Sequence, residues 1–123
     1  MITGKVNADL EAVLRLEVRG PGNGGVEVDA VIDTGFNGYL TLPSYVIETL
    51  GLPWVYRQEG ELADGSVHAF DVHVGAIVWN EKPRTVEIEV AETEPLLGMA
   101  MLEMQKLNID VVKGGSVSIT DRT

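Results

Sequence analysis

Asp33-Thr34-Gly35 is the segment of this sequence best placed to do chemistry. It follows Ala30-Val31-Ile32, in a stretch where Val26, Val28, Ala30 and Ile32 alternate with Glu27, Asp29, Val31 and Asp33. A period of two belongs to a strand that aims one face at a core. A carboxylate at the end of such a strand emerges from a packed scaffold onto a tight turn, which holds it in place. A carboxylate so held can exchange a proton with water or with a carbonyl oxygen. Activating water in this way takes two carboxylates in different protonation states, yet the sequence contains a single Asp-Thr-Gly. A two-fold axis between identical chains would supply the pair, because an isologous contact sets Asp33 beside its own copy. Taken alone, an Asp before a glycine more often just shapes a turn.

The elements around the triplet read as short strands separated by turn residues. Met1 to Val6 and Leu10 to Val18 suit strands, and Leu14, Leu16 and Val18 alternate with Arg15, Glu17 and Arg19. Gly20-Pro21-Gly22-Asn23-Gly24-Gly25 is a turn by composition, and the chain turns again at Asn37-Gly38. Tyr39 to Leu42 reads as a short strand. Ser44 is expected to cap a short helix with Val46, Ile47 and Leu50 on its apolar side and Gly51 at its end. Glu59 to Leu62 and Val67 to Val74 flank Ala63-Asp64-Gly65-Ser66, and Asp-Gly signals a hairpin.

Ala76 to Trp79 and Thr85 to Val90 make a further pair around Asn80 to Pro83. Met99 to Leu107 carries helical spacing, and Ile109 to Val112 and Ser116 to Ile119 close the chain as strands around Gly114-Gly115. The residues after Thr120 are the ones that read as disordered. These elements make a mainly β chain with one or two short helices, in one domain over residues 1–123.

Composition removes several functions. The net charge is −10, from 19 acidic and 9 basic residues. Nucleic acid is therefore an unsuitable partner, because phosphate binding depends on clustered Lys and Arg. With no cysteine, thiol nucleophiles, disulfide scaffolds and Cys-based zinc sites are excluded. Met1 to Leu16 has no basic segment followed by an apolar run, so no signal peptide is expected. No apolar stretch approaches the roughly 20 residues of a membrane span, so no membrane role is expected and the cytoplasm is the default location.

Val31-Ile32-Asp33-Thr34-Gly35, the Ala63-Asp64-Gly65-Ser66 hairpin and the late Leu96-Leu97-Gly98 before a helix occur here in that order. The arrangement resembles the retropepsin-like (clan AA) aspartic peptidases, the single-domain relatives of pepsin. Ile32-Asp33-Thr34-Gly35-Phe36-Asn37-Gly38, with Leu42-Pro43 and Leu97-Gly98-Met99, looks like a small prokaryotic branch of that clan. The resemblance covers nearly the whole chain. It implies a closed, mostly β, pepsin/retropepsin-like half-barrel that is active as a homodimer. It also implies an aspartic endopeptidase that hydrolyses peptide or protein substrates without a cofactor or metal.

On this resemblance Asp33 is the catalytic carboxylate, Thr34 hydrogen-bonds across the dimer axis, and Gly35 lets the substrate backbone approach. Ala63, Asp64, Gly65 and Ser66 would form a flap over the substrate, with Phe36, Asn37, Leu97, Gly98 and Met99 also at the substrate site. Leu97-Gly98 would give the Asp33 loop its apolar support. The family usually carries Ala or Ser directly after the triplet, then an Asp, and an Arg after the late glycine. Here Phe36, Asn37 and Met99 hold those places, so the ion pair that often braces the dimer is missing. Phe36, if it faces the cleft, would narrow a side-chain pocket.

The runner-up is a catalytically weak or inactive module of the same fold that dimerises or binds peptides. Phe36 favours it, whereas the intact triplet favours the enzyme. A monomeric β domain with an incidental turn is the third reading. The remaining residues carry less. His68 and His73 are five apart on a strand, hence on opposite faces, which does not suit a shared metal. Asp71 and Asp110 lack a ligand-dense loop. Glu87, Glu89, Glu92 and Glu94 read as a solvated strand face and loop, and Trp54, Tyr56 and Trp79 as core or interface packing.

Overall fold

The computed structural model describes residues 1–22 and 24–122. Asn23, in the expected glycine-rich turn, and Thr123, in the expected disordered end, lie outside the described residues. The chain forms β1 (Ile2–Val6), β2 (Ala12–Arg19), β3 (Gly25–Ile32), β4 (Leu40–Leu42), α1 (Ser44–Leu50) and β5 (Trp54–Glu61). It continues through β6 (Val67–Trp79), β7 (Lys82–Val90), β8 (Leu96–Leu97), α2 (Met99–Leu102), β9 (Gln105–Ile109) and β10 (Ser116–Asp121). β10 takes in Thr120 and Asp121, so order extends past the point expected from the sequence.

All ten strands belong to one sheet, in the order β5-β6-β7-β4-β8-β3-β2-β1-β10-β9. β2 also pairs with β6 through Val18–Ile77 and Arg19–Ala76. That contact closes β6, β7, β4, β8, β3 and β2 into a barrel, which removes their open edges. β5 and the β1-β10-β9 ribbon extend beyond it. Two pairings are parallel, β3 with β8 and β4 with β7.

The alternation in the sequence fills this barrel. Leu14, Leu16 and Val18 of β2, Val28 and Ala30 of β3, and Val86 and Ile88 of β7 are buried in one core. Val26 and Ile32 pack against it half-buried. Leu40, Thr41 and Leu42 are all buried, as expected for a strand covered on both faces. Each large aliphatic side chain so buried stabilises the fold by about 1.5–3 kcal/mol before entropy is counted. No helix among the described residues is long and apolar enough to cross a membrane.

Three expectations about the elements change. The strands expected at 67–74 and 76–79 are one strand, β6, shared by two hairpins. The helix expected over Met99 to Leu107 stops at Leu102. Met104 takes a positive φ of 65°, and Gln105 to Ile109 then pairs with β10, leaving Val111 and Val112 in a turn. Lastly, Ser44 is the first residue of α1, which has no side-chain cap of its own.

A distant residue takes over the capping of α1. The Ser44 N–H donates to Glu92 Oε1 at 2.8 Å. The Ser44 side chain first, and its N–H second, hold the Glu92 carboxyl below its ordinary range. A carboxyl depressed on folding adds stability above its unfolded value, about pH 4.3, and that stability is lost as pH falls through the lower folded value. Glu92→Gln is therefore expected to melt below the parent at neutral pH, with the gap closing in acid, below the unfolded value. Circular-dichroism melts under both conditions test this, and an equal gap in both would rule out the charge as its source.

Candidate active site

Asp33 follows β3 directly, and its loop is built around the two-residue strand β8. β8 lies between β3 and β4, parallel to the first and paired with the second through Leu40–Leu97. Five main-chain hydrogen bonds fasten the loop to this segment. Val31 N–H donates to Pro95 O at 2.9 Å and Asp33 N–H to Leu97 O at 2.9 Å. Gly98 N–H donates to Tyr39 O at 3.0 Å, Met99 N–H to Phe36 O at 2.8 Å, and Ala100 N–H to Gly38 O at 3.1 Å. Thr41 adds its hydroxyl, which accepts the Leu96 N–H at 2.9 Å. The polar groups of this irregular backbone thus find partners beside the core, as buried backbone must.

The carboxylate is also held from within the loop. Asp33 Oδ1 accepts the Gly35 N–H at 2.9 Å, and Phe36 N–H closes the turn onto Asp33 O at 3.1 Å. Asp33 is half-buried, whereas Thr34 and Gly35 are exposed. The sequence carries one such triplet.

Phe36 does not stand free in the cleft. Its ring lies across Gly38 and Gly98, with ring atoms 2.6 Å from where a Cβ would sit on either glycine. Gly98 has backbone at least as close, because an added Cβ would meet Gly38 O at 2.2 Å. Glycine is required there by close approach, without any unusual φ.

The other expected site residues divide. Asn37 joins Phe36 and Gly38 in one wall of a cleft of about 370 Å³. Leu97 is wholly buried in the core, so it supports the loop from beneath and does not face the cleft. Met99 is exposed at the start of α2, while its neighbour Ala100 lines the cleft. Ala63, Asp64 and Gly65, exposed, and half-buried Ser66 form the tip of the β5–β6 hairpin, outside the lining of that cleft. The tip is self-contained. Gly65 takes a φ of 84°, Leu62 N–H donates to Ser66 O at 2.8 Å, and Ser66 Oγ and N–H donate to Asp64 Oδ1 at 2.5 and 2.9 Å. The Ser66 hydroxyl first, and its N–H second, keep the Asp64 carboxyl below its ordinary range.

Sequence reasoning missed the far wall of the cleft, where Tyr56, Gln58, Val72, Glu87 and Glu89 lie. Register puts them together: Tyr56 is opposite Val72, Val72 opposite Glu89, and Val74 opposite Glu87, so all share one face. The signal was the parity of β7, where Glu87 and Glu89 oppose the core residues Val86 and Ile88. Parity alone makes that face a solvated one, whereas the hairpin turns it into the cleft. The Tyr56 hydroxyl donates to Glu87 at 2.8 Å, which is the main cause of its raised pKa. The Glu89 carboxyl is pushed up, first by burial and then by the charge of Glu87.

The residues set aside earlier also find places. Glu92 serves α1, while Glu94 is exposed. Trp79 is buried in the core; Trp54 is exposed, with its indole N–H on Asp71 at 3.1 Å. His68 is exposed and His73 half-buried, with Nδ1 of His73 lacking a partner. Asp110 accepts the Ser116 hydroxyl at 2.9 Å. No group of three or more His, Asp or Glu is arranged to hold a metal among the described residues.

This architecture is the retropepsin-like fold, mainly β and closed around the Asp33 loop. The chain is similar to a retropepsin-like aspartic protease from Rickettsia conorii, at 16% identity, with a TM-score of 0.59 over 97% of this chain and 90% of that one. It is also similar to EIAV protease complexed with the inhibitor HBY-793, at 14% identity, with a TM-score of 0.58 over 79% of this chain and 89% of that one. No family model and no curated protein matches the chain.

The closeness at Gly98 has a measurable consequence. A methyl at this position must displace Gly38 or the Phe36 ring, an overpacking that typically costs about 1–3 kcal/mol. Gly98→Ala is expected to lose that much stability in urea titrations followed by tryptophan fluorescence. A variant as stable as the parent would mean that the loop can move aside freely.

Proposed function

We propose that this chain is an aspartic endopeptidase of residues 1–123, one domain that works as a homodimer on peptide or protein substrates. The observation that carries the reading is the seating of Asp33. It stands at the end of a core strand, fixed by Gly35 and by Leu97, in a fold shared with two aspartic proteases. Asp33 from each copy would meet at the two-fold axis, close enough for the two to share one proton. The ionised member takes a proton from water as it attacks the scissile carbonyl, and the neutral member protonates the carbonyl oxygen. Thr34 would fix the two loops to each other, and the Ala63–Ser66 tips would fold over an extended substrate.

Support for a second copy comes from the other side of the triplet. There Thr34 borders a hollow lined by Leu10, Ile32, Ile109 and Val111, of which Leu10 and Val111 are 56% and 67% exposed. A partner would cover them, and that apolar burial would have to outweigh the repulsion of two chains at −10 each. The second reading, a binding module without efficient cleavage, draws on Phe36, which crowds the loop where the family usually has Ala or Ser.

In solution the chain is expected to scatter light with the mass of two copies and to cleave a mixed peptide library fastest at acidic pH. Asp33→Asn is expected to abolish cleavage with mass and circular dichroism unchanged, because a neutral amide cannot deprotonate water. Undiminished turnover in that variant, or a parent rate still climbing above neutrality, would overturn the mechanism. A folded dimer that cleaves nothing would leave the binding module.

A further inference from the structure

The cleft beside the Asp33 loop is acidic on one side and aromatic on the other. Glu87 and Glu89 stand side by side on β7, and neither is ion-paired among the described residues. Tyr56 satisfies part of Glu87, while Glu89 lies against Gly38, 2.9 Å from where a Cβ would sit. Phe36 and Tyr39 line the other wall, and Val72, in register with Glu89, is the apolar part of the glutamate wall. Arg84 places its guanidinium 5.6 Å from the centre of the Tyr39 ring. Aromatic faces and carboxylates together favour a cation carried on an apolar stem. Ionising Glu89 here is costly, since both burial and Glu87 oppose it. A bound positive charge would offset both.

We propose that this cleft is a side-chain subsite for arginine or lysine in an extended peptide, with the stem against Phe36 and Val72 and the charged head between Glu87 and Glu89. The proposal rests on reading the Asp33 groove as the place where a peptide lies. Phe36, Asn37 and Gly38 belong both to the Asp33 loop and to the cleft wall, so a side chain of a peptide passing Asp33 can reach it. The volume of about 370 Å³ admits one long side chain and its water. The excess of 19 acidic over 9 basic residues adds a field that draws basic peptides toward the chain.

The test is a binding measurement, independent of cleavage. An array of immobilised decapeptides, random except for one fixed position, is probed with the full chain carrying Asp33→Asn. Arginine, lysine, citrulline and norleucine are fixed in turn at every position. At one position arginine or lysine is expected to bind about tenfold more tightly than citrulline or norleucine, a difference within reach of a charge-assisted hydrogen bond. Adding Glu89→Gln, or Glu87→Gln, is expected to remove most of that preference.

The citrulline comparison changes only the peptide, so it holds even where a Gln variant folds poorly. Equal binding of arginine and citrulline at every position, or no binding at all, overturns the proposal. So does a preference that survives both Gln substitutions. Cleavage by the parent chain separates the two readings. Asp33-dependent cleavage without a basic preference sinks the subsite and keeps the peptidase, whereas a basic preference without cleavage keeps the subsite and sinks the peptidase.

Discussion

The structure depends on a two-residue strand threaded between β3 and β4. Leu96 and Leu97 are too few to form an element alone, since a strand this short makes few bonds for the chain entropy it costs. They hold because both neighbours are strands of the closed barrel and both offer main-chain groups to pair with. Asp33 N–H finds Leu97 O, Gly98 N–H finds Tyr39 O, and the Leu97 side chain completes the core. The same bonds that finish the barrel therefore fix where the Asp33 carboxylate sits. Gly98 makes the approach possible by offering no Cβ to Gly38. Stability and site geometry are here one quantity, so a change that loosens β8 must also displace Asp33.

Along β7 and the loop after it, one sequence pattern yields four different environments for glutamate. Glu92 meets the donors of Ser44 at the start of α1, and its carboxyl is held low. Glu87 receives the Tyr56 hydroxyl. Glu89 has no donor among the described hydrogen bonds, is half-buried, and is pushed up. Glu94 remains exposed. The difference follows from which groups face each carboxylate, because burial penalises the charged form unless a donor or cation offsets it. A chain with a net charge of −10 that nonetheless turns two carboxylates into the cleft beside the Asp33 loop incurs a cost that hydrophobic residues there would avoid. A cationic ligand is the physical circumstance in which that cost is recovered.

Much of the fold could be read from the sequence wherever one local rule sufficed. The alternation in β2, β3 and β7 announced buried faces, Gly51 ended α1 with a left-handed φ of 61°, and Asp64-Gly65 marked the hairpin tip. The triplet, too, was visible as a turn after an apolar strand. What could not be read was set by distant pairing. The 99–107 stretch has helical spacing, yet β10 captures Gln105 to Ile109 once Met104 reverses the chain. β8 is too short to carry a period at all. Glu92 as a partner for Ser44 spans 48 residues, and no local pattern predicts it. The cleft wall was misread for a related reason. Parity tells which residues avoid the core, but not whether the opposite face meets water or another part of the chain.

β6 runs unbroken from the barrel into the β5–β6 hairpin. Gly75, Ile77 and Trp79 are buried in the barrel, and Ala76 and Ile77 pair with β2 at its closure. The same strand continues outward through Val67, His68 and Ala69, which are exposed and carry the hairpin tip. A strand anchored at one end and free at the other moves as an arm, with most of its low-stability bonds at the free end. Tyr56 on β5 bonds Glu87 on β7, tying the base of that arm to the acidic wall of the cleft. A cation that settles between Glu87 and Glu89 must share Glu87 with the Tyr56 hydroxyl. The base of the hairpin and the acidic wall of the cleft are therefore coupled through one hydrogen bond.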